Sequence, residues 1–437
     1  MDKTIYSALL AATALVGCGG SSDGSDSGNP GPAEGVLHVE TTSYNYCGIE
    51  SPMAGAEVVI HHLDGRILST AKTDSEGQLS LSWPQGGAHV SLIGEGTDQD
   101  GSAGTLVQTF VDWRSGDTIE RYFPNMASKA GCHCRDVTIE ANDLVSKYWD
   151  SEIRLTYQNG IFSQAQRLSE RQQLNLCQSE GQWQPIDLVL DGANSTGEVL
   201  ATLIEVDWDS NPTLVLAPEV FADASGVGER VTLTVNVPDY NTMTFGLTAD
   251  GERVHRYYGR TWKEPYYFPG SSTRSLVSAY SHDYLDAAEF GGVTYFHLER
   301  ERIEEGAATI VLPEDPSPFL NESVKLLRGM TEDAASSYDF KHFSPGKNLA
   351  LVTLYDQAGP TMWQVEAPLK GTVPALELPD AVMHSLEQLS APMLEVFLYG
   401  YNNGLNAHDY RSEIRKSEPN DPSFFDRYEY QILLLPL

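Results

Sequence analysis

Cys47, Cys132, Cys134 and Cys177, with Cys18, are the five cysteines of this 437-residue sequence, and the only thiols available to it. Cys132-His133-Cys134 sets an imidazole between two thiols, a ligand type that zinc accepts. Neighbouring residues on a strand point to opposite faces, so His133 turns away from both sulfurs and the metal reading loses its third ligand. In an exported chain four cysteines read as two disulfides. A Cys132–Cys134 bond would close a very small, strained ring. The two remaining pairings both join Cys47 to one member of the 132/134 pair and Cys177 to the other. Cys47–Cys132 with Cys134–Cys177 is the preferred set. His384-Ser385-Leu386-Glu387 has the short spacing of a zinc site, but Val382, Met383, Leu386 and Leu389 fall at helical spacing after Pro379-Asp380. A short packed helix over 380–389 accounts for them. His61-His62 sit on consecutive strand positions and cannot chelate one ion from a regular strand. Asp98-Gln99-Asp100-Gly101-Ser102 offers hard oxygen ligands, so Asp98 and Asp100 are the candidate Ca²⁺ ligands. The loop lacks EF-hand spacing and reads equally as a solvated turn. No other cofactor is expected. The most unusual segment is Arg256 to Pro269, where aromatic rings alternate with cations. Arg256, Tyr257, Tyr258, Arg260, Trp262, Tyr266 and Tyr267 form the candidate binding set, since flat rings and guanidinium donors suit sugars and peptides. The competing reading is a loop packed over a core, with Arg stems covering rings. No phosphate-binding loop, dinucleotide fingerprint or His-Glu-x-x-His occurs, and no catalytic residue is assigned.

The charge balance narrows the partners. Lys and Arg total 28 and Asp and Glu 61, for a formal charge of −33. Phosphate contacts need clustered cations, so nucleic acid is excluded as a partner. Adsorption to anionic lipid by charge alone is excluded for the same reason. The first eighteen residues offer another route to a membrane. Lys3 is followed by an apolar run from Ala8 to Val16, too short to span a bilayer. Leu15-Val16-Gly17-Cys18 then resembles the lipobox of bacterial lipoproteins. The resemblance implies export, a signal peptide over residues 1–17, diacylation of Cys18 and, with nothing acidic directly after it, sorting to the outer membrane. Gly19 to Gly35 is a Gly-Ser-Asp-Pro segment that cannot bury a core and reads as a flexible tether over 18–35.

From residue 36 onward the pattern is of strands. Apolar residues alternate in Gln78–Trp83, and Asp64-Gly65 and Thr73-Asp74-Ser75-Glu76-Gly77 are turn signals. "Pro-x-x-Gly-Ala-x-Val", a hairpin and "Thr-Asp-x-x-Gly-x-Leu-x-Leu" occupy Pro52, Gly55, Ala56, Val58, Thr73, Asp74, Gly77, Leu79 and Leu81. This run resembles the transthyretin-like sandwich of carboxypeptidase regulatory-like domains over about a quarter of the chain. The resemblance implies a structural or binding domain and brings no catalytic residues with it.

Strand signals continue to the C-terminus, among them Glu152–Tyr157, Ile186–Leu190, Glu198–Val206, Arg230–Val237, Val293–Leu298, Leu349–Leu354, Met393–Tyr401 and Tyr428–Leu435. Three apolar stretches end alike, Leu216-Ala217-Pro218-Glu219, Leu312-Pro313-Glu314 and Leu378-Pro379-Asp380. They suggest repeated β modules, and Pro313–Pro318 reads as a hinge. The sequence therefore predicts an all-β chain of tandem β-sandwich modules, immunoglobulin- or transthyretin-like, over 36–140, 141–225, 226–317 and 318–437. The expected role is non-catalytic: binding, adhesion or envelope architecture, facing the periplasm or the cell surface, with a glycan, a peptide or another envelope protein as partner. A hydrolase with an unrecognised carboxylate site is the alternative.

Overall fold

The computed structural model describes residues 35–436 except 115, 194, 223, 250, 259–263, 288–290, 332–334, 344–345, 402–403 and 415–422. The fold is all-β, built of sheets packed on sheets, with a few helices laid against them. The signal segment, Cys18 and most of the tether fall outside the described residues.

The first sandwich follows from its alternation. Leu37, Val39 and Thr41 on the strand Val36–Asn45 are all buried. This strand pairs parallel with Thr118–Asn125 and antiparallel with Gln78–Ser82. Facing it are Glu57–His62, Gly87–Thr97 and Ala103–Phe110, whose Val58, Ile60, Val90, Leu92 and Phe110 fill the core with Leu37, Val39 and Ile119. The Thr-Asp-x-x-Gly turn is held by its own side chains. Asp74 Oδ1 accepts hydrogen bonds from the backbone N–H of Glu76 and Gln78, both at 2.9 Å. Gly77 has φ +73°, and a Cβ there would meet the Thr41 carbonyl oxygen at 2.2 Å. Thr41 and Thr73 hydroxyls both donate to the Met53 carbonyl, which binds the Pro52-to-Gly55 corner to two strands.

The second sandwich sets the sheet Phe162–Arg167, Glu152–Asn159, Ile186–Asp191, Val199–Ile204 against Arg171–Cys177, Cys134–Glu140, Thr213–Val215. Cys134–Glu140, which closes the 36–140 span in sequence, thus pairs forward into this second unit. Trp208, Leu155, Leu188 and Ile139 fill the core between them.

The remaining strands do not form separate beads. A long hairpin, Arg274–Ala287 and Gly291–Arg302, pairs with Tyr428–Pro436, which leads through Pro392–Gly400 and Leu349–Asp356 to Met362–Pro368. Met362–Pro368 then pairs parallel with Ala103–Phe110 of the first sandwich, so one sheet runs through both. The helix Ser317–Thr331 covers one face of its C-terminal half, packing Phe319, Leu326 and Leu327 on Val293, Val352, Val396 and Leu433. The helix Asp380–Glu387 seats Val382 and Leu386 on Val59, Ile93 and Val107 of the first sandwich.

The three Leu-Pro-acid endings have one physical explanation. Pro218 opens the 3₁₀ helix Pro218–Phe221, Pro379-Asp380 opens Asp380–Glu387, and Pro313–Pro318 leads into Ser317–Thr331, with the Asp315 carboxylate accepting from the Ser317 N–H at 2.9 Å. Proline supplies a helical φ without needing a donor, and the acid meets the positive helix end. The pattern marks helix starts, and the stretch read as a hinge is the entry to the longest helix described.

The junction between the first sandwich and the C-terminal strands is locked by a buried ion pair. Arg411, on the helix Ala407–Ile414, places Nε 2.6 Å from Glu366 Oε1. Its other nitrogens donate to the Val111, Asp112 and Glu366 carbonyls, and its plane lies 5.5 Å from the Trp113 ring. A buried hydrogen-bond chain crosses the same junction. Trp363 Nε1 donates to Thr109 Oγ1, which lies 2.7 Å from Ser91 Oγ, itself 2.8 Å from His61 Nε2.

Arg411→Met leaves Glu366 as an uncompensated buried charge. It is expected to cost about 3–5 kcal/mol by urea denaturation, and Arg411→Met with Glu366→Leu to recover most of that loss. Two groups, buried His61 and half-buried Glu395, give opposite pH signatures. Burial lowers His61 to about 4, so its contribution is present above pH 6.5 and lost as pH falls through about 4. Burial raises Glu395 to about 7, so its contribution is present below pH 4.5 and lost as pH rises through about 7. Glu395→Gln should therefore gain roughly 2–3 kcal/mol over wild type at pH 8 and nothing at pH 4. His61→Gln should flatten the loss between pH 6.5 and 4. Denaturation midpoints from pH 4 to pH 8 read both.

Candidate functional site

The aromatic segment singled out in the sequence enters the structure at a seam between two sheets. The strand Arg253–Tyr257 is an edge strand next to Asn241–Leu247, and it packs on the four-stranded sheet of the second sandwich. His255 anchors it there. Its Nδ1 lies 2.7 Å from Asp187 Oδ1, and its backbone N–H donates to the other carboxylate oxygen. Both residues are buried, and the His255 ring stands edge-on to Phe268 at 5.4 Å. His255 has φ +51°, a left-handed conformation that costs a β-substituted residue of order 1 kcal/mol. The two-pronged hold of Asp187 is what maintains it.

The kink aims the following residues. Tyr257 points inward and is 3% exposed, packed with Val189, Val199, Ala201 and Phe268. Burial, reinforced by Asp191 to which its hydroxyl is hydrogen-bonded, pushes the phenol far above its ordinary pKa. Tyr258 turns outward. Its ring lies 5.1 Å from the Arg154 guanidinium, and Arg154 Nη2 is 3.1 Å from Glu152 Oε1. Glu152, Arg154, Val189, Asp191, Arg256, Tyr257 and Tyr258 line a small surface depression.

The sequence-predicted binding set is divided by this arrangement. Arg256 and Tyr258 reach the depression, half-buried, while Tyr257 closes it from beneath as part of the core. Tyr266 packs edge-on against Tyr257 at 5.5 Å. Tyr267 donates its hydroxyl to Glu229 Oε2 at 3.1 Å, on a strand pairing with Glu229–Arg230. Arg260 and Trp262 lie outside the described residues. Glu152, Arg154 and Asp191, which complete the depression, carried no signal: they sit at strand positions far upstream of the segment they meet.

The chemistry available here is hydrogen bonding and ring contact. Asp191 is engaged with Tyr257, and Glu152 with Arg154. A phenol held far above neutrality is no base at pH 7. Asp98 and Asp100 are elsewhere and bind their own turn: both carboxylates accept the Ser102 N–H, and the Ser102 hydroxyl donates to Asp100 at 2.6 Å. All four cysteines of the body are bonded, as Cys47–Cys132 and Cys134–Cys177. His133 is exposed, with Nε2 2.7 Å from Asp209 Oδ1.

No family model matches the chain, and no curated protein does. Among solved structures it is similar to the Bacillus anthracis TIE protein, at 9% identity and a TM-score of 0.15, over 64% of this chain and 50% of that one. It is similar to a streptococcal ancillary pilin at 9% identity and a TM-score of 0.16, over 42% of this chain and 62% of that one. The B1B2 repeats of the collagen-binding protein of Staphylococcus aureus match at 14% identity and a TM-score of 0.13, over 74% and 82%. The chain thus spans about half of the first structure and under two thirds of the second. Likenesses with TM-scores this low say nothing about what the chain binds or does.

The inward and outward tyrosines separate by truncation. Tyr257→Ala should cost about 3–5 kcal/mol, as a large ring removed from a core does, and Tyr258→Ala less than about 1 kcal/mol. Equal costs by urea denaturation would contradict this division of the segment.

Proposed function

We propose that this chain is an exported protein held to a membrane through lipid on Cys18, and that its β-sandwich body binds a glycan or peptide at the Arg256–Tyr258 depression. The observation that carries the binding reading is the pairing of the ionisable groups around the depression. Glu152 with Arg154, and Asp191 with Tyr257, leave donors, acceptors and a ring face arranged for contact. Export is supported by two disulfides that employ every cysteine of the body, since such bonds persist in oxidising compartments. Anchorage is supported by Leu15-Val16-Gly17-Cys18 and the Gly-Ser-rich tether behind it. Several acyl chains on one residue exceed the marginal hold of a single chain, at about 0.8 kcal/mol per buried CH₂. The same features support an envelope location, in the periplasm or at the surface.

Two experiments test this. Cells fed a clickable palmitate should label the protein, and Cys18→Ser should abolish the label; equal labelling of both removes the anchor. The soluble body, applied to glycan and peptidoglycan-fragment arrays, should be retained by some of them and lose that retention in Arg256→Ala and Tyr258→Ala. Unchanged retention in both variants removes the site. Hydrolysis of a retained glycan, lost in Asp191→Asn, would replace binding with catalysis.

A further inference from the structure

The sulfurs of Cys47, Cys132 and Cys134 all lie within 4.8 Å of one another, although only the first two share a bond. Cys134 is bonded to Cys177, which stands directly opposite it in the ladder of Cys134–Glu140 with Arg171–Cys177. The two crosslinks are therefore neighbours. Each joins a buried cysteine, Cys47 or Cys177, to a half-buried one, Cys132 or Cys134. The residue between the half-buried pair is fixed from outside. His133 is held at Asp209, which also accepts from Trp183 Nε1 at 3.0 Å, and Arg135 donates to the Trp208 and Asp209 carbonyls. This pinned backbone keeps both sulfurs beside Cys47, and the Arg135 guanidinium is a cation close in sequence to any thiolate formed there.

We propose that Cys132-His133-Cys134 is a thiol–disulfide exchange site at which Cys47 bonds alternately to Cys132 and to Cys134. A dithiol reductant starts the sequence. One of its thiolates attacks the more accessible Cys134 Sγ; the bond to Cys177 breaks and Cys177 leaves as a thiolate that takes up a proton. The second thiol of the reductant, deprotonated, displaces Cys134 as a thiolate, and the reductant departs as a disulfide, having given up two electrons. The Cys134 thiolate then attacks Cys47 Sγ. A Cys47–Cys134 bond forms, the Cys47–Cys132 bond breaks, and Cys132 leaves as a thiolate; no electrons are gained or lost in this step. Attack on Cys132 instead would close the small 132–134 ring, so Cys47 is the productive target. The exchange moves the crosslink two residues along the chain, from the connection after the first sandwich onto the first residue of a second-sandwich strand, and brings a half-buried thiol to position 132.

The test uses the full chain carrying Cys177→Ser, purified without reductant, alkylated and mapped by mass spectrometry of unreduced peptides. The expected result is two isomers, Cys47–Cys132 with alkylated Cys134 and Cys47–Cys134 with alkylated Cys132. Alkylation confined to Cys134 overturns the proposal. Wild type exposed briefly to limiting dithiothreitol and quenched in acid reads the same point without a mutation. Single-disulfide species should contain both Cys47–Cys132 and Cys47–Cys134, and recovery of native pairs alone overturns it. Cys132→Ser with Cys177→Ser should form Cys47–Cys134 almost completely; two free thiols in that variant would place Cys134 out of reach and equally defeat the assignment.

Discussion

The parallel ladder between Ala103–Phe110 and Met362–Pro368 is the constraint on which this architecture depends. It aligns Leu106 with Met362 and Phe110 with Glu366, and the Val111 N–H extends it by donating to the Glu366 carbonyl at 2.8 Å. Val107, Thr109, Val365 and Ala367 are all buried, so the peptide groups on these strands have no water to turn to. Once the ladder forms, the strands beyond Met362–Pro368 extend the first sandwich's sheet, and each half needs its own cover. The first half is covered on one side by its own second sheet and on the other by Asp380–Glu387; the C-terminal half takes Ser317–Thr331. The Arg411–Glu366 pair and the Trp363-to-His61 chain sit at this join, where low dielectric makes a fully satisfied polar group stabilising and a half-satisfied one costly.

Charge is distributed with the same economy. The chain carries −33 overall, and several of its buried or half-buried cations are met by oxygen, while buried Arg121 lies 5.6 Å from the Phe123 ring. Lys347 lies 3.4 Å from Glu429, and Arg274 2.7 Å from Asp426, while Arg300 donates to the Phe425 and Asp426 carbonyls. Burial moves Glu299 and Glu429 up and Lys347 down, which softens the field each would otherwise impose.

Local chemistry was legible in the sequence. Alternation located Val36–Asn45 and Gln78–Ser82, β-rich apolar runs located Ile186–Asp191 and Tyr428–Pro436, and the Asp-Gly and Thr-Asp-x-x-Gly signals located two turns of the first sandwich. Excluding a strained ring reduced the cysteines to two pairings, of which the preferred one is observed, and Val382 with Leu386 gave the helix they form. Long-range partners were not legible. Nothing in residues 103–110 names 362–368 as a partner, because a ladder is written in backbone groups that every residue shares. Ser317–Thr331 was hidden behind Pro313–Pro318, since proline serves both hinges and helix starts. The Arg256–Tyr267 segment looked uniform because ring-and-cation composition does not say which side of a kink each ring takes; His255, with its left-handed backbone, decides that for Tyr257 and Tyr258. Glu152, Arg154 and Asp191 joined them only through packing.

The fused sheet also sets an order of events during synthesis. Some 250 residues separate Phe110 from the strand that will shield it, so its open edge waits while most of the polypeptide is still emerging. An unpaired, apolar edge of that kind recruits strands from other molecules. Contacts this distant in sequence slow assembly, because a large loop must close before any reward arrives. A nascent or truncated chain lacking its last quarter would therefore depend on holdase chaperones, and aggregation before the late strand arrives, more than loss of any single side chain, is the hazard this topology carries.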